Sequence, residues 1–211
     1  MRSPTRPRFA LACLCACAGA QAGEPERYVF DPVHTRVMFA IDHAGFSKAI
    51  GTVSGSEGSL QFDAEDWTAT RMDVVVPMAR LDMGDSGWSA SVFAPRFLDV
   101  KRYPQARFVA NNVTRIEGNR GRACGDLTLH GVTKPLCMDL VMNKAGRYPL
   151  PPFRRTIGFS ATTTLKRSEF GMKSWRSLVG DDVELRIEAE LFRKDGEAPP
   201  STTPEPIPTI P

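Results

Sequence analysis

Three histidines, His34, His43 and His130, are the residues of this chain best suited to acid–base chemistry or metal binding near neutral pH. His34 and His43 lie an odd number of positions apart in one strand-like run, which places them on opposite faces of a regular strand. They therefore make a poor metal pair. Because the chain beyond residue 22 also lacks a Cys/His cluster at ligand spacing, we predict no metal site and interpret each histidine as a hydrogen-bonded strand-end residue.

Asp181 and Asp182 form an adjacent carboxylate pair, a pattern to consider for general acid–base catalysis. Neighbouring residues of a strand point to opposite faces, however, and residues just before a strand are typically turn residues. The chain also contains no Gly-x-Ser-x-Gly elbow, His-Glu-x-x-His motif, phosphate-binding glycine loop or dinucleotide fingerprint. The sequence therefore shows no nucleophile, and we predict neither catalysis nor a bound cofactor.

Cys124 and Cys137 flank a predicted turn centred on His130-Gly131. If that turn is a two-residue hairpin, Cys124 lies directly opposite Cys137 and both point to the same face. An oxidising compartment would then allow a cross-strand disulfide, with two free thiols as the alternative. The wide spacing of the two residues excludes a Cys-x-x-Cys redox site.

Both ends of the chain are predicted to lie outside the folded domain. At the N-terminus, three arginines precede an apolar run from Phe9 to Ala20 that is too short to span a bilayer, as is typical of a secretory signal. We assign residues 1–22 as a signal peptide, because Ala20-Gln21-Ala22 offers a small-x-small cleavage site. Leu14-Cys15-Ala16-Cys17 loosely resembles a lipoprotein signal, so lipidation of Cys17 is the alternative. Residues 194–211 are rich in Pro and Thr and are predicted to be disordered or polyproline-like.

The formal net charge of +3 comes entirely from arginines in the predicted signal peptide. Removal of Arg2, Arg6 and Arg8 with residues 1–22 leaves a mature chain whose formal net charge is 0. A neutral chain without a Lys/Arg run argues against nucleic acid as a partner, because phosphate binding requires clustered positive charge.

Residues 23–193 are interpreted as a single, almost wholly β domain. The last strand is the clearest, because every second residue is apolar and alternates with a charged one: Val183, Leu185, Ile187, Ala189 and Leu191. Shorter runs alternate in the same way at residues 37–41, 60–62 and 72–76. Glycines separate these runs at short intervals, as expected for a sandwich or a barrel.

Two segments interrupt the alternation. Ser86 to Phe97 carries Trp88, Val92 and Phe93 at near-helical spacing, and we predict a short helix or an irregular lid there. The proline-rich connection from Lys144 to Arg155 is predicted to be a long loop, of the kind that often frames the mouth of a binding site.

Several separated signatures give the chain a specific resemblance. Three of them are Tyr28-x-x-Asp31-Pro32-x-His34-Thr35, Leu127-Thr128-Leu129-His130-Gly131-Val132-Thr133-Lys134-Pro135 and Thr164-Leu165-Lys166-Arg167-Ser168-Glu169-Phe170-Gly171-Met172. Three more match in order: His43-x-Gly45-Phe46-Ser47, Phe97-Leu98-Asp99-Val100-x-x-Tyr103-Pro104-x-x-x-Phe108 and Val179-Gly180-Asp181-Asp182-Val183. The chain thus resembles, over residues 28–192, the YceI-like family of periplasmic, lipocalin-like polyisoprenoid-binding proteins. Trp88-Ser89 departs from the Arg-Asp pair of many members, which puts the polar contacts near the lid in doubt.

The resemblance implies an all-β fold, an extended eight-stranded antiparallel β-barrel of lipocalin-like form with a short helix or lid. Its long apolar cavity would hold an isoprenoid or another amphiphilic lipid, such as an isoprenoid quinone or a polyprenyl phosphate, with no other cofactor. We expect ligand contacts from apolar residues of the barrel and its entrance: Val37, Phe39, Ile41, Phe46, Phe62, Phe93, Phe97, Phe108, Leu127, Leu129, Phe159, Leu165, Phe170 and Trp175. For the strand residues among them, plain core packing explains burial equally well.

One or two polar residues at the mouth would fix the head group of such a ligand. The candidates are His34, Arg167, Ser168 and Lys173, with a surface or structural role as the alternative for Arg167 and Lys173. We therefore expect a periplasmic, non-enzymatic lipid carrier that contacts a membrane surface for lipid exchange. The alternative is a structural or stress-response interaction protein whose barrel is filled by its own side chains. The barrel edges and the lid could support a homodimer, although no pattern demonstrates one.

Overall fold

The computed structural model describes residues 24–194. The predicted signal peptide, Cys17 and the predicted tail beyond Lys194 lie outside the described residues. The elements are β1 (Glu26–Phe30), β2 (Arg36–His43), β3 (Ser47–Ser54), β4 (Glu57–Phe62), β5 (Arg71–Pro77), β6 (Leu81–Asp82), α1 (Ser86–Phe93), β7 (Gln105–Glu117), β8 (Arg120–Leu129), β9 (Val132–Arg147), β10 (Arg155–Lys166) and β11 (Val179–Arg193).

Three of the long strands bend, and each bend divides one strand into two segments. Residues 31–35 separate β1 from β2, residues 55–56 separate β3 from β4, and the 3-10 turn Met78–Arg80 separates β5 from β6. The eleven β segments of residues 24–194 therefore form eight strands, and the predicted strand number is confirmed.

Consecutive strands pair antiparallel, and the ring closes between the last strand and the first. β11 pairs with β10 on one side and with both β1 and β2 on the other. Phe30 lies opposite Leu191 and Val37 lies opposite Ile187, so the first bent strand covers most of the length of β11. The predicted closed antiparallel barrel is confirmed.

The two ends of the barrel differ. We call one the mouth end, which carries the β2–β3 turn, α1 and the β10–β11 connection at residues 167–178. We call the other the far end, which carries the connections at residues 63–70, 118–119 and 148–154. The predicted long loop from Lys144 to Arg155 is shorter than expected, because β9 continues to Arg147 in register with β10. It lies at the far end, so the prediction that it frames a mouth is wrong.

The predicted helix or lid is present as α1. Asp85 caps its N-terminus, because its Oδ1 atom accepts a hydrogen bond from the backbone N–H of Trp88 at 2.8 Å. The helix ends at Phe93, and the next residue, Ala94, has the extended backbone that is favoured before Pro95. Ser89 Oγ donates to the carbonyl of Asp85 at 2.9 Å and accepts from the backbone N–H of Met83 at 3.1 Å. These bonds fix the helix against the end of β6.

The β8–β9 hairpin turns at His130-Gly131, with both residues at positive φ (51° and 74°) as in a type I′ turn. Cys124 therefore lies directly opposite Cys137, and a disulfide joins them. The predicted two-residue register is present. The disulfide covalently links two neighbouring strands in the wall of the barrel.

Aromatic side chains close the far end of the barrel. The Phe62 ring meets Trp67 edge-on at 5.5 Å between ring centroids and meets Phe159 at 5.4 Å. Trp67 is fully buried, and its ring lies so close to the backbone of Gly121 that a side chain at that glycine would collide with it. Glycine at this position therefore lets the indole seal the far end.

Candidate functional site

The inward faces of the strands enclose an apolar cavity of about 510 Å³. The alternation of β11 shows how the sequence builds it, because Val183, Leu185, Ile187, Ala189 and Leu191 all line the cavity. The charged residues between them therefore face outward. A volume of this size falls within the range of about 300–1,000 Å³ that small-molecule sites occupy.

The cavity reaches the surface at the mouth end. Trp88 and Trp175 both line it, although 40% and 53% of their surfaces remain exposed. At the far end, the lining residues Phe62, Ala123 and Leu191 are fully buried. The cavity is thus a tube with one open end.

Eleven of the fourteen predicted ligand contacts lie in the wall of this cavity. They are Val37, Phe39, Ile41, Phe62, Phe97, Phe108, Leu127, Leu129, Phe159, Leu165 and Trp175. Most belong to strands in which the alternation of apolar and polar residues predicted the face that points inward. Phe97 and Trp175 belong instead to segments at the mouth.

The other three predicted contacts lie outside the wall. Phe46 is 93% exposed, because the tight β2–β3 turn, with Ala44 and Gly45 at positive φ, carries it away from the barrel interior. Phe93 ends α1 and packs against the apolar cluster beneath the helix instead of the cavity. Phe170 is buried in the core, and its carbonyl accepts a hydrogen bond from His130 Nδ1 at 2.9 Å.

Arg167 is the one head-group candidate that lies in the cavity wall. It is only 3% exposed, and its guanidinium donates to three backbone carbonyls: from Nε to Gly180 at 2.7 Å, from Nη1 to Met172 at 2.8 Å and from Nη2 to Val179 at 2.9 Å. Burial lowers the pKa of Arg167, although the nearby Asp181 carboxylate opposes that shift. The side chain therefore clamps both ends of the loop at residues 171–178.

The remaining head-group candidates are engaged or exposed elsewhere. His34 lies in the bend before β2, where its Nδ1 is 2.8 Å from Asp31 Oδ2, and this hydrogen bond raises the pKa of His34. Ser168 donates from its backbone N–H and its hydroxyl to the Asp181 carboxylate at 2.9 and 2.8 Å. Lys173 is exposed on the loop at the mouth. The structure places none of these three in the cavity wall.

Sequence reasoning missed two groups of residues at the cavity. Five methionines line it: Met72, Met78, Met83, Met138 and Met172. Their flexible thioether side chains can adapt to ligands of different shape. The alternation of β5 and β9 could have identified two of them, whereas the other three belong to irregular segments. The second group is Trp88 and Arg96 at the mouth: the near-helical spacing predicted the helix that carries Trp88, but it did not show which of its side chains line the cavity.

Aromatic contacts join the segments at the mouth. The Trp88 indole from α1 lies 5.8 Å from the His43 ring at the end of β2. Phe97 meets Trp175 at 6.4 Å, and the Arg96 guanidinium lies 5.7 Å from the Trp175 ring. The mouth is therefore framed by α1, by the end of β2 and by the loop that Arg167 clamps.

Two residues of the cavity wall contain buried hydroxyl groups without a hydrogen-bond partner in the described part of the chain. Ser56 Oγ and Thr70 Oγ1 both belong to lining residues that are at least 98% buried. A buried hydroxyl without a hydrogen bond costs about 1–3 kcal/mol. A nearby lining residue differs, because Thr35 Oγ1 donates to the carbonyl of Glu190 at 3.3 Å. The hydroxyls of Ser56 and Thr70 therefore cost stability in the folded protein.

Residues 24–194 contain no group of three His, Cys, Asp or Glu side chains arranged to hold a metal ion. Within the same residues, no helix has the length and apolar character required to cross a bilayer.

Comparisons with known proteins agree with this geometry. A family model described as the YceI-like domain matches residues 28–191. A UPF0312 protein of Pseudomonas savastanoi pv. phaseolicola is 35% identical over 166 residues, which cover 78% of this chain and 85% of the relative. The crystal structure of Burkholderia cenocepacia BcnA superposes with a TM-score of 0.68 at 22% identity, covering 76% of this chain and 98% of BcnA. A polyisoprenoid binding domain from Saccharophagus degradans, implicated in plant cell wall breakdown, gives a TM-score of 0.61 at 12% identity, covering 79% and 98%.

Proposed function

Since the chain belongs to the YceI-like family, we propose that it binds and carries an amphiphilic lipid with an isoprenoid tail, such as an isoprenoid quinone or a polyprenyl phosphate. The observation that carries this proposal is the one-ended apolar tube of about 510 Å³. The polyisoprenoid binding domain from Saccharophagus degradans shares the fold, which supports this class of ligand.

The lining of the tube suits an alkyl or isoprenoid chain. Burial of each methylene group contributes about 0.8 kcal/mol, so a long tail gains affinity without any specific polar contact. Arg167 has few donors left for a ligand, because three of its N–H groups already bond to carbonyls. The ligand therefore gains affinity mainly through its tail, and the few polar atoms of the wall select its oxygen-bearing groups.

We propose binding without catalysis. At the mouth, the Ser91 hydroxyl donates to the Gly87 carbonyl at 3.0 Å within α1, and the His43 ring packs against Trp88. Neither group is arranged as a nucleophile paired with a base, which requires a direct hydrogen bond between the two side chains. The carboxylate of Asp42 accepts from the backbone N–H of Gly45 at 3.1 Å, so it stabilises a turn.

The alternative, an interaction protein with a barrel filled by its own side chains, is less well supported. Its defining feature is a packed interior, whereas this interior contains a cavity large enough for a small molecule. We also propose a periplasmic location, on the basis of the signal-like residues 1–22, with attachment through Cys17 as the alternative.

A cavity-filling substitution tests the proposed function. Ala161 lines the tube from β10, and Ala161→Trp would occupy ligand volume. Thr162→Trp is the matched control, because Thr162 is the next residue on the same strand and lies on the outer face. Both variants are loaded with ubiquinone or undecaprenyl phosphate from detergent, and occupancy is measured by native mass spectrometry.

We expect Ala161→Trp to lose the ligand and Thr162→Trp to keep it. Thermal unfolding shows whether each variant is folded, and the smaller change Ala161→Leu is available if the tryptophan prevents folding. A folded Ala161→Trp protein with wild-type occupancy would contradict the proposal.

A further inference from the structure

Three chain segments surround the mouth and contact one another. They are residues 44–48 of the β2–β3 turn, residues 86–98 of α1 and its C-terminal connection, and residues 171–179 of the β10–β11 loop. The backbone N–H of Ala44 donates to the carbonyl of Leu178 at 2.6 Å, which joins the first segment to the third. Phe97 packs against Trp175, which joins the second segment to the third. We call these segments the mouth rim.

The mouth rim exposes large apolar side chains. Phe46 is 93% exposed, Trp175 is 53% exposed, Leu178 is 46% exposed and Trp88 is 40% exposed. Single exposed apolar residues are ordinary on protein surfaces, but a group of them around one opening marks an interaction site. Trp side chains are favoured where one end of the ring is apolar and the other is wet, as at a membrane interface.

All charged residues of the mouth rim are positive. Its three segments contain Lys48, Arg96, Lys173 and Arg176, and no Asp or Glu. Lys48 pairs with Glu184 of β11, and Arg96 lies over the Trp175 ring. Lys173 and Arg176 are exposed on the clamped loop, on either side of Trp175. The rim is therefore an apolar and cationic surface.

Acidic groups beside the rim are engaged within the protein. Asp42 caps the β2–β3 turn, Asp181 accepts from Ser168, and Asp182 pairs with Lys166 at 2.7 Å. Glu169 beside the loop and Asp99 after the second segment accept no such hydrogen bond in the described residues. These two carboxylates do not offset the combined charge of Arg96, Lys173 and Arg176, so the rim keeps a net positive charge.

We propose that the mouth rim docks the protein on an anionic lipid bilayer, with the opening of the tube against the headgroups. The aromatic side chains enter the interfacial layer, and the cations of the rim are attracted to anionic headgroups. An isoprenoid tail would then pass between the bilayer and the tube without crossing water. This inference deepens the proposed function, because it names the surface from which the carrier is loaded.

The rim is held in shape before it meets a membrane. Arg167 clamps residues 172, 179 and 180, and the Ala44–Leu178 hydrogen bond fixes the β2–β3 turn beside the loop. Docking therefore orders little of the protein, and association is not weakened by that entropic cost.

Vesicle flotation tests the inference without a ligand. The purified protein is mixed with phosphatidylcholine vesicles, with and without phosphatidylglycerol, and the bound fraction is measured at several salt concentrations. Wild-type protein is expected to float with the anionic vesicles and to be released by salt, because exposed charges are screened. The paired variant Lys173→Gln/Arg176→Gln is expected to bind roughly 10- to 30-fold more weakly, from about 1 kcal/mol per charge. Phe46→Ser is expected to weaken binding as well, and Phe46 does not line the tube.

Matched controls lie at the far end of the barrel. Lys144→Gln/Arg147→Gln removes the same charge from exposed positions of β9, and Ile116→Ser removes a 65% exposed apolar side chain from β7. Both controls are expected to bind within about twofold of wild type, since interfacial attraction falls off within a Debye length of the surface. Far-end variants that lose as much binding as rim variants, or wild-type protein that does not float, would overturn the inference.

Ligand loading from detergent separates the two proposals. Rim variants that take up ubiquinone from detergent but do not float show that docking and the cavity are distinct properties, as the inference expects. Wild-type protein that takes up ligand from detergent but does not float with vesicles would contradict the docking inference alone. Wild-type protein that floats with vesicles but takes up no ligand would contradict the carrier function alone.

Discussion

Arg167 donates a hydrogen bond from Nη2 to the carbonyl oxygen of Val179 at 2.9 Å, and so ties the loop that carries Trp175 to the first residue of β11. Two further bonds, to Met172 and Gly180, complete the clamp. Arg167 therefore holds the segments that frame the mouth in place.

Replacement of Arg167 by Met is expected to lower the free energy of unfolding by roughly 2–4 kcal/mol, because it leaves buried carbonyls unpaired. Arg167→Lys should rescue little, since an ammonium cannot reproduce the planar fork that reaches three carbonyls. Lys166→Met is the control, because its ion pair with Asp182 is exposed to solvent and contributes little to stability. Denaturant unfolding measures all three variants. Equal stability of the Arg167→Met and Lys166→Met proteins would refute the clamp.

The disulfide is expected to stabilise the barrel through the loop that it closes. Cys124 and Cys137 are 13 residues apart, and closure of such a loop in the unfolded chain corresponds to about 3 kcal/mol in the chain-entropy model. Cys124→Ala/Cys137→Ala should therefore unfold at lower denaturant concentration than Thr128→Ala/Thr133→Ala, which removes an exposed hydroxyl contact of the same hairpin. If the two double variants unfold at the same denaturant concentration, the disulfide has no stabilising role.

The raised pKa of Tyr28 predicts that the folded protein loses stability at alkaline pH. Burial, reinforced by the hydrogen bond to Glu26, raises the pKa of Tyr28 from 10.0 to about 12. Because the folded protein favours the neutral phenol, this contribution is complete below pH 10 and is lost as the pH rises from 10 towards 12. The stability of wild-type protein should therefore fall faster than that of Tyr28→Phe across this range, as measured by urea unfolding at each pH. Parallel curves for the two proteins would show that Tyr28 is not responsible.

The buried hydroxyls of Ser56 and Thr70 are expected to lower the stability of the folded protein. Ser56→Ala and Thr70→Val remove hydroxyls that have no partner among the described residues, so each variant should gain about 1 kcal/mol of stability in denaturant unfolding. Thr35→Val is the control and should lose stability, since Thr35 donates to the Glu190 carbonyl. Loss of stability in both Ser56→Ala and Thr70→Val would show that these hydroxyls are hydrogen-bonded in the folded protein.

The alternation of apolar and polar residues along the strands accounts for most of what the sequence predicted about the fold. The alternation from Val183 to Leu191 identified which side chains face the cavity, because a strand places successive residues on opposite faces. The pairing of Cys124 with Cys137 followed from the hairpin turn, since a two-residue loop fixes the register of both strands.

The ends of the barrel could not be predicted in the same way. The proline-rich loop was assigned to the mouth but lies at the far end, because which end of a strand carries the opening depends on how the ring closes, not on local pattern. Arg167 was identified as a polar residue near the ligand, yet its carbonyl partners lie 5 to 13 residues away, in the loop that follows it and at the start of β11. No periodic signal marks such contacts.

Native mass spectrometry of the protein purified from the periplasm of a Gram-negative host, expressed with residues 1–22, tests the carrier proposal most directly. The account predicts a stoichiometric apolar adduct that is lost on denaturation, with an isoprenoid quinone or polyprenyl phosphate in the solvent extract. Empty protein that also takes up neither added ubiquinone nor added polyprenyl phosphate would contradict it.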